Sequence, residues 1–219
     1  MSTISLARPV VSGVTTLGHG RRVVVWTQGC TLACSGCMSR DTWQGETADT
    51  AVQRVDELAD LILRLVESDT LDGLTVSGGE PFQQAAAVAE LVERVRAGTR
   101  SDRFDLLVYS GYTLEHLRER GDDHRQRVLA SVDVLVDGRF REGEPTDAAH
   151  RGSANQRLHR FTELALSRYA RADEACRPSL QVVATGDALT WIGIPRRGEL
   201  DQHRAALAES GLALEGTSW

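Results

Sequence analysis

Lysine is missing altogether: all 25 basic residues of the 219 are arginine. No lysine can therefore serve as a base, a Schiff-base former or a phosphate clamp. Cysteine is scarce, four in all, and three of them crowd into eight residues, which argues against a disulfide framework. A basic excess is absent too. The formal net charge is -6, where a general nucleic-acid binder would show a basic stripe. No apolar run approaches the roughly 20 residues that span a bilayer. The opening residues, Met1 to Arg8, lack a charged region followed by an apolar core, so no signal peptide is expected. These absences point to the cytoplasm, with reduced thiols and neither membrane nor nucleic acid as partner.

What is present reads as an ordinary folded chain, 41% hydrophobic and 26% charged, one domain or one with a small appendage. Residues 2–18 suggest a short strand and turns. Arg22 to Gln28 is β-branched and apolar enough for a strand buried on both faces. Thr50 is placed to cap a helix to about Glu67, with apolar residues Val52, Val55, Leu58, Ala59, Ile62, Leu65 and Val66 at helical spacing. Strand then alternates with helix: Gly73–Ser77, Phe82–Arg96, Phe104–Tyr109, Thr113–Glu119 with Asp123–Ala130, and Val132–Val136. That alternation predicts an α/β fold with a parallel sheet and covering helices. Asp137 to Gln156 is long and polar, a candidate lid or contact loop. A helix over Leu158–Ala170, a hairpin of Leu180–Ala184 and Leu189–Ile194, and a last helix Glu199–Glu209 complete the chain. The expected division is a core of residues 1–170 and an extension of residues 171–219.

Every conspicuous motif falls at the C-terminal end of an expected strand, where barrels of this kind bind ligands. The first is Cys30-Thr31-Leu32-Ala33-Cys34-Ser35-Gly36-Cys37, spaced C-x3-C-x2-C. A zinc site needs a fourth ligand, for which His19 or Cys176 is available only by chance of folding. A redox pair of Cys34 and Cys37 leaves Cys30 without a purpose. A [4Fe–4S] cube held by Cys30, Cys34 and Cys37 uses all three and leaves one iron open. The second motif is Ser77-Gly78-Gly79-Glu80-Pro81, an ordinary turn by composition. Here Gly78 and Gly79 would admit a ligand to the backbone, and Glu80 could take its ammonium group. Tyr109-Ser110-Gly111-Tyr112 and Asp137-Gly138 mark the next two strand ends. Asp137 and Arg151 are candidate contacts for a partner or substrate. Cys176 is expected to be a small buried hydrophobe, and the six histidines show no ligand pairing.

On these residues the chain resembles the radical S-adenosylmethionine superfamily, whose signature is C-x3-C-x2-C followed by a GGE-type motif. Within it the chain is most similar to the activating proteins of anaerobic (class III) ribonucleoside-triphosphate reductases, which share the glycine seen here as Gly36. Cys37-Met38-Ser39-Arg40-Asp41-Thr42-Trp43 resembles their C-Y-N-x-x-T-W, departing at Met38 and Ser39. Leu74 to Pro81 resembles L-T-x-S-G-G-D/E-P. Asp133 to Phe140 with Arg151 to Gln156 resembles D-V-L-V-D-G-x-F and R-G-S-S-N-Q. The likeness spans about residues 15–165 and leaves out the C-terminal hairpin and helix.

The resemblance implies a partial (β/α)6-type barrel with a small C-terminal extension. It implies a [4Fe–4S] cluster on Cys30, Cys34 and Cys37 as the catalytic centre, with S-adenosylmethionine on the open iron. Gly78, Gly79 and Glu80 would hold its amino group, Gly36 and Met38 its adenine, and Ser110 its ribose. The implied reaction is reductive cleavage to a 5′-deoxyadenosyl radical that installs a glycyl radical on a large partner enzyme. The electron would come from a reductant such as flavodoxin or ferredoxin. Two alternatives stay open: the same scaffold acting on a small molecule or peptide, and a cluster-bearing electron carrier without radical chemistry.

Overall fold

A computed structural model describes residues 2–45, 50–120, 122–174, 180–185, 188–196 and 198–211. Its centre is a run of four parallel strands, β3 (Arg22–Thr27), β5 (Gly73–Gly78), β6 (Asp105–Tyr109) and β7 (Val134–Asp137). Antiparallel strands extend the sheet on both sides. β1 (Thr3–Leu6) and β2 (Val11–Val14) both pair with β3, and β4 (Ala51–Arg54) pairs with β1. β8 (Arg157–Arg160) pairs with β7. The order is β4-β1-β3-β5-β6-β7-β8, with β4 and β8 as its edges. The sheet is thus open, an α/β fold with a parallel centre and antiparallel flanks.

All six residues of β3 and all four of β7 are buried, and their apolar centres, Val23 to Trp26 and Val134 to Val136, suit strands covered on both faces. Helices α1 (Val55–Asp69), α2 (Ala85–Gly98), α3 (Leu114–Glu119) and α4 (Asp123–Ser131) follow. They share a core with Val23, Val25, Leu74, Val76, Leu106 and Val108 on one face. The other face is covered differently. Leu107 and Val134 pack with Ala165 of α5 (Glu163–Arg168), Tyr169 and Ala172. Val24 and Trp26 pack with Ile192 of a separate hairpin, β9 (Leu180–Thr185) and β10 (Ala188–Gly193). α6 (Glu199–Glu209) comes last and passes into Gly211 in the left-handed region, φ 74°.

Three expectations change. Residues 51–54 form a strand, so the helix starts at Val55 and Thr50 does not cap it. Val52 lies in phase with Val55, Ala59 and Ile62, but the free edge of β1 captures it into a ladder, Ser5 opposite Val52, and it is half exposed. The helix read over 158–170 is divided in the same way. β7 needs an edge partner and takes 157–160, with Leu158 opposite Val136. Thr162 then caps the short α5 through the Ala165 amide. Residues 2–14 hold two strands instead of one. Cys176 and the hairpin turn at Gly186-Asp187 lie outside the described residues. No helix among the described residues is long and apolar enough to cross a membrane.

Candidate iron–sulfur site

The cysteine loop springs from the end of β3 and is closed at its base by backbone bonds. Gly29 donates its amide to Thr42 O (2.8 Å) and Cys30 to Trp43 O (3.1 Å). Gln28, buried beneath, donates its side-chain amide to Gln44 O (2.9 Å). Within the loop the chain turns back through left-handed conformations at Ala33 (φ 48°) and Gly36 (φ 70°). Cys37 donates its amide to Cys34 O, 3.1 Å. Gly36 is favoured by that φ, and a Cβ there would displace the exposed Glu142 side chain, 2.9 Å away.

Cys30, Cys34 and Cys37 are free thiols, each half-buried. Burial pushes the Cys30 thiol up, opposed by the Leu32 amide and reinforced by the negative Glu80 nearby. Such a thiol gains most when a cation takes its proton's place. The Ser39 amide points at Cys37 Sγ, 3.4 Å away, the kind of donor that tunes an iron–sulfur centre. No three His, Cys, Asp or Glu side chains among the described residues converge where a single ion could sit. A cube binds each cysteine to a different iron, so separated thiols are compatible with it.

The end of β5 lies directly against this loop. Gly79 donates its amide to Thr27 O (2.8 Å) and Glu80 to Gly29 O (2.9 Å). A Cβ on Gly78 would stand 2.5 Å from both the amide nitrogen and the carbonyl oxygen of Thr27, and one on Gly79 would strike the Gly29 carbonyl. The two glycines therefore let the ends of β3 and β5 touch, a packing need beyond the turn and the ligand access expected of them. Glu80 is 1% exposed. Its Oε1 accepts from the Phe82 amide (3.0 Å) and the Ser110 hydroxyl (2.9 Å), and its Oε2 accepts from the Gly111 amide (2.7 Å). Burial pushes its carboxyl up to about 7 in spite of those donors. Arg125 acts on it only at longer range, and no ion pair forms to it among the described residues. A carboxylate offers about four lone-pair directions, so one remains open on Oε2.

Ser110 is thus spent on Glu80 and on the Tyr112 amide (3.0 Å). Asp137 is not a partner contact. It is fully buried and accepts from the Leu114 amide (2.6 Å) and Arg157 (2.8 Å), with His159 Nε2 3.1 Å away. Arg151 is held by Asp173 Oδ1 at 2.6 Å. The segment Arg151 to Gln156 caps no helix. It folds back as a clamp on residues 138–141, with Asn155 donating to Arg139 O (2.8 Å) and Gln156 to Gly138 O (2.9 Å). Residues 138–152 lie over the cysteine loop, where Arg139 donates to Leu32 O. Gly111 and Arg139 lie in segments the sequence marks, but their contacts with Glu80 and Leu32 join residues 31 and 107 positions apart, which no local pattern shows.

Fold and thiol loop together define an α/β iron–sulfur protein, and residues 16–159 match the model of the 4Fe-4S single cluster domain. The chain is 37% identical over 150 residues to the anaerobic ribonucleoside-triphosphate reductase-activating protein of Vibrio cholerae, covering 66% of this chain and 91% of that one. The proteins of the same name from Enterobacteria phage T4 (33%, 67% and 88% covered) and Escherichia coli K12 (30%, 65% and 90% covered) are similar to it as well. The chain belongs to the family of anaerobic ribonucleoside-triphosphate reductase-activating proteins. Among solved structures, QueE from Escherichia coli overlaps 51% of this chain and 54% of its own at 15% identity and a TM-score of 0.41, too slight a likeness to build on.

Proposed function

We propose that this chain reductively cleaves S-adenosylmethionine to methionine and a 5′-deoxyadenosyl radical, and uses that radical to make a glycyl radical on an anaerobic ribonucleotide reductase. Cys30, Cys34 and Cys37 would hold a [4Fe–4S] cluster. When bound, the cluster supplies one low-potential electron and an iron with a free position. The observation that carries the reading is Glu80, a buried carboxylate at the foot of the thiol loop with three donors, one open acceptor direction and no ion-pair partner among the described residues. An ammonium group is what such a site lacks.

The remaining residues divide the work. Gly78 and Gly79 hold the Glu80 backbone against the cysteine loop, so that the amino-group site and the thiols share one rigid base. Met38 lines both the small cavity at Cys37 and the larger one at Gly36, so Gly36 and Met38 are the residues to meet the adenine. Ser110 acts through Glu80 and fixes its carboxylate. Residues 1–170 carry this chemistry, and from residues 171–219 Ala172 and Ile192 pack on the face of the sheet opposite α1 to α4. The protein works in the cytoplasm, draws its electron from a flavodoxin- or ferredoxin-type donor, and needs no nucleic acid or membrane. One observation favours a second reading, a small-molecule or peptide substrate. Ile194, Pro195 and Leu200, beyond the family match at 16–159, wall the large cavity beside Gly36.

The test is anaerobic. Reduction of the cluster-loaded protein with S-adenosylmethionine is expected to yield 5′-deoxyadenosine, and none from a fully loaded protein sinks both readings. Added reductase then gives a glycyl-radical doublet in its electron spin resonance spectrum. 5′-Deoxyadenosine without that doublet decides for the second reading.

A further inference from the structure

Gln83 ties three strand ends together through one side chain. It lies in the short 3-10 turn Pro81–Gln84 that follows Glu80, and its own amide donates to Glu80 O at 2.9 Å. Side chains three apart in such a turn lie nearly in line, and these two reach the same neighbour. Glu80 takes the Ser110 hydroxyl and the Gly111 amide, while Gln83 Nε2 donates to the Tyr112 hydroxyl at 3.1 Å. Gln83 also grips the thiol loop. Its Nε2 donates to Thr31 Oγ1 (2.7 Å) and its Oε1 accepts from the Thr31 amide (3.2 Å). Thr31 follows Cys30 directly, so the loop is fastened at its first turn to the segment that carries Glu80.

The clasp decides where the amides of the loop go. That of Thr31 is turned to Gln83, which leaves those of Leu32 and Ala33 to bond the Cys30 sulfur. Leu32 is then seated on Gly111, where any Cβ would strike its Cδ1. Tyr112 is braced in turn, stacked on His116 at 4.9 Å with the Arg125 guanidinium 5.6 Å from its ring. Thr31 is exposed and Gln83 half-buried, and bonds so near the surface replace bonds to water at little net gain. They add little to the stability of the fold. Being directional, they fix a spacing.

We propose that Gln83 is a positioning residue that sets the spacing between the thiol loop and Glu80, and through it the grip on S-adenosylmethionine. This rests on the function proposed above, in which the ligand is held at two points, the iron left free on the thiol loop and the Glu80 carboxylate. A two-point grip is strong where both points stand at the ligand's spacing beforehand. The backbone bonds from Gly29 to Thr42 O and from Glu80 to Gly29 O fix where the loop begins. Gln83 fixes its course past Cys30.

The test compares Gln83→Leu, which keeps the bulk and removes all three bonds, with Thr31→Val, which removes the hydroxyl bond alone, and with the double variant. Iron per chain is measured first. Affinity for S-adenosylmethionine follows, by equilibrium dialysis on the cluster-loaded protein, with the change the ligand makes in the electron spin resonance spectrum of the reduced cluster. Gln83→Leu is expected to load iron like the wild type, to bind about tenfold more weakly, and to show the spectral change only at correspondingly higher ligand concentration. Thr31→Val is expected to lose about threefold. The double variant should bind no more weakly than Gln83→Leu, because both changes remove the same contact. Affinity of Gln83→Leu within about twofold of wild type overturns the proposal, as do losses that add in the double variant. Loss of iron from Gln83→Leu overturns it too, since Gln83 would then serve the loop's fold and not its spacing. If Gln83→Leu does not fold, Thr31→Val decides alone, and unchanged affinity there overturns the proposal. A fully loaded wild type that binds no S-adenosylmethionine defeats the underlying function instead, and the proposal with it.

Discussion

The two ends of the parallel strands both bury charge, and they treat it in opposite ways. At the N-terminal end Arg22 and Asp105 stand in register on either side of Gly73. Gly73 leaves the guanidinium room to lie across the sheet, as any Cβ there would strike it and come 2.5 Å from Asp105 O. Arg22 is fully buried, 2.8 Å from Asp105 Oδ1, and it also donates to Thr75 Oγ1 (2.6 Å) and Leu74 O (2.7 Å). Arg168 reaches Asp105 Oδ2 at 2.6 Å and Tyr169 donates to Oδ1 at 3.2 Å. Burial pushes the Asp105 carboxyl up, but Arg22 and Arg168 outweigh it and hold it below its ordinary value. At the C-terminal end Glu80 is as deeply buried, yet its carboxyl is left high, at about 7, because its partners are neutral donors. A closed network serves the fold. A buried carboxyl left short of a counter-charge, next to three free thiols, is what the proposed ammonium site rests on.

If that contrast is right, damage at one end removes chemistry and damage at the other removes stability. The largest effect is expected for Cys34→Ala: no bound iron by elemental analysis and no 5′-deoxyadenosine, while the denaturation midpoint of the metal-free protein stays put. Arg22→Met is expected to do the reverse. It leaves Arg168 as the one cation paired with the buried Asp105 among the described residues, at a cost of at most about 3–5 kcal/mol in chemical denaturation. The folded fraction should keep its thiols and load iron normally. Iron loss from Arg22→Met at a temperature where it is folded would break the division.

Asp137 tests the contrast within the C-terminal end, because it sits beside the site but is satisfied like Asp105. Burial works to raise its carboxyl, yet His159, Arg157 and the Leu114 amide bring it down to about 2. A carboxyl depressed from its ordinary 3.8 stabilises the fold above that value and loses the contribution as pH falls through about 2. Asp137→Asn should therefore cost at most about 2 kcal/mol at pH 7, with some reduction because Arg157 is half exposed and screened. The gap to wild type should close between pH 4 and 2. Equal acid profiles for the two proteins would remove Asp137 from the satisfied class.

Much of the fold and the thiol loop is legible in the sequence, the buried Arg22–Asp105 network is not, and what escapes has a common cause. The thiol spacing, the apolar strand β3 and the helical phase of Val55, Leu58, Ala59 and Ile62 are local patterns, and local patterns survive without knowledge of the fold. β4 and β8 were hidden because an edge strand is recruited by its neighbour. Nothing in Ala51-Val52-Gln53-Arg54 announces that β1 will need a partner. The same holds at the site. Gly78 and Gly79 stand out as glycines, but that they admit the backbone of Thr27 and Gly29 depends on the close approach of two strand ends. Ser110 was read as a ribose contact, and only the fold directs its hydroxyl to Glu80.

Glu80 carries the smallest effect and the sharpest test. Glu80→Gln keeps the shape and replaces a charge-assisted bond to the ammonium group by a neutral one, a difference of about 1.4 kcal/mol or tenfold in affinity for S-adenosylmethionine. The full difference exists only where the wild-type carboxyl is ionised. With the carboxyl titrating at about 7, wild-type affinity should rise with pH up to that point and level off above it. The Gln variant should be flat. The tenfold gap then appears at pH 8 and shrinks toward nothing by pH 6, read by equilibrium dialysis on the cluster-loaded protein. Stability runs the other way. A carboxyl raised from 4.5 to about 7 favours the folded state fully below 4.5, and the advantage is lost as pH rises through 7. Glu80→Gln should lack that decline. A pH-independent tenfold gap would mean that Glu80 is ionised throughout, already compensated like Asp105, and that the open acceptor direction on Oε2 is not where the ligand binds.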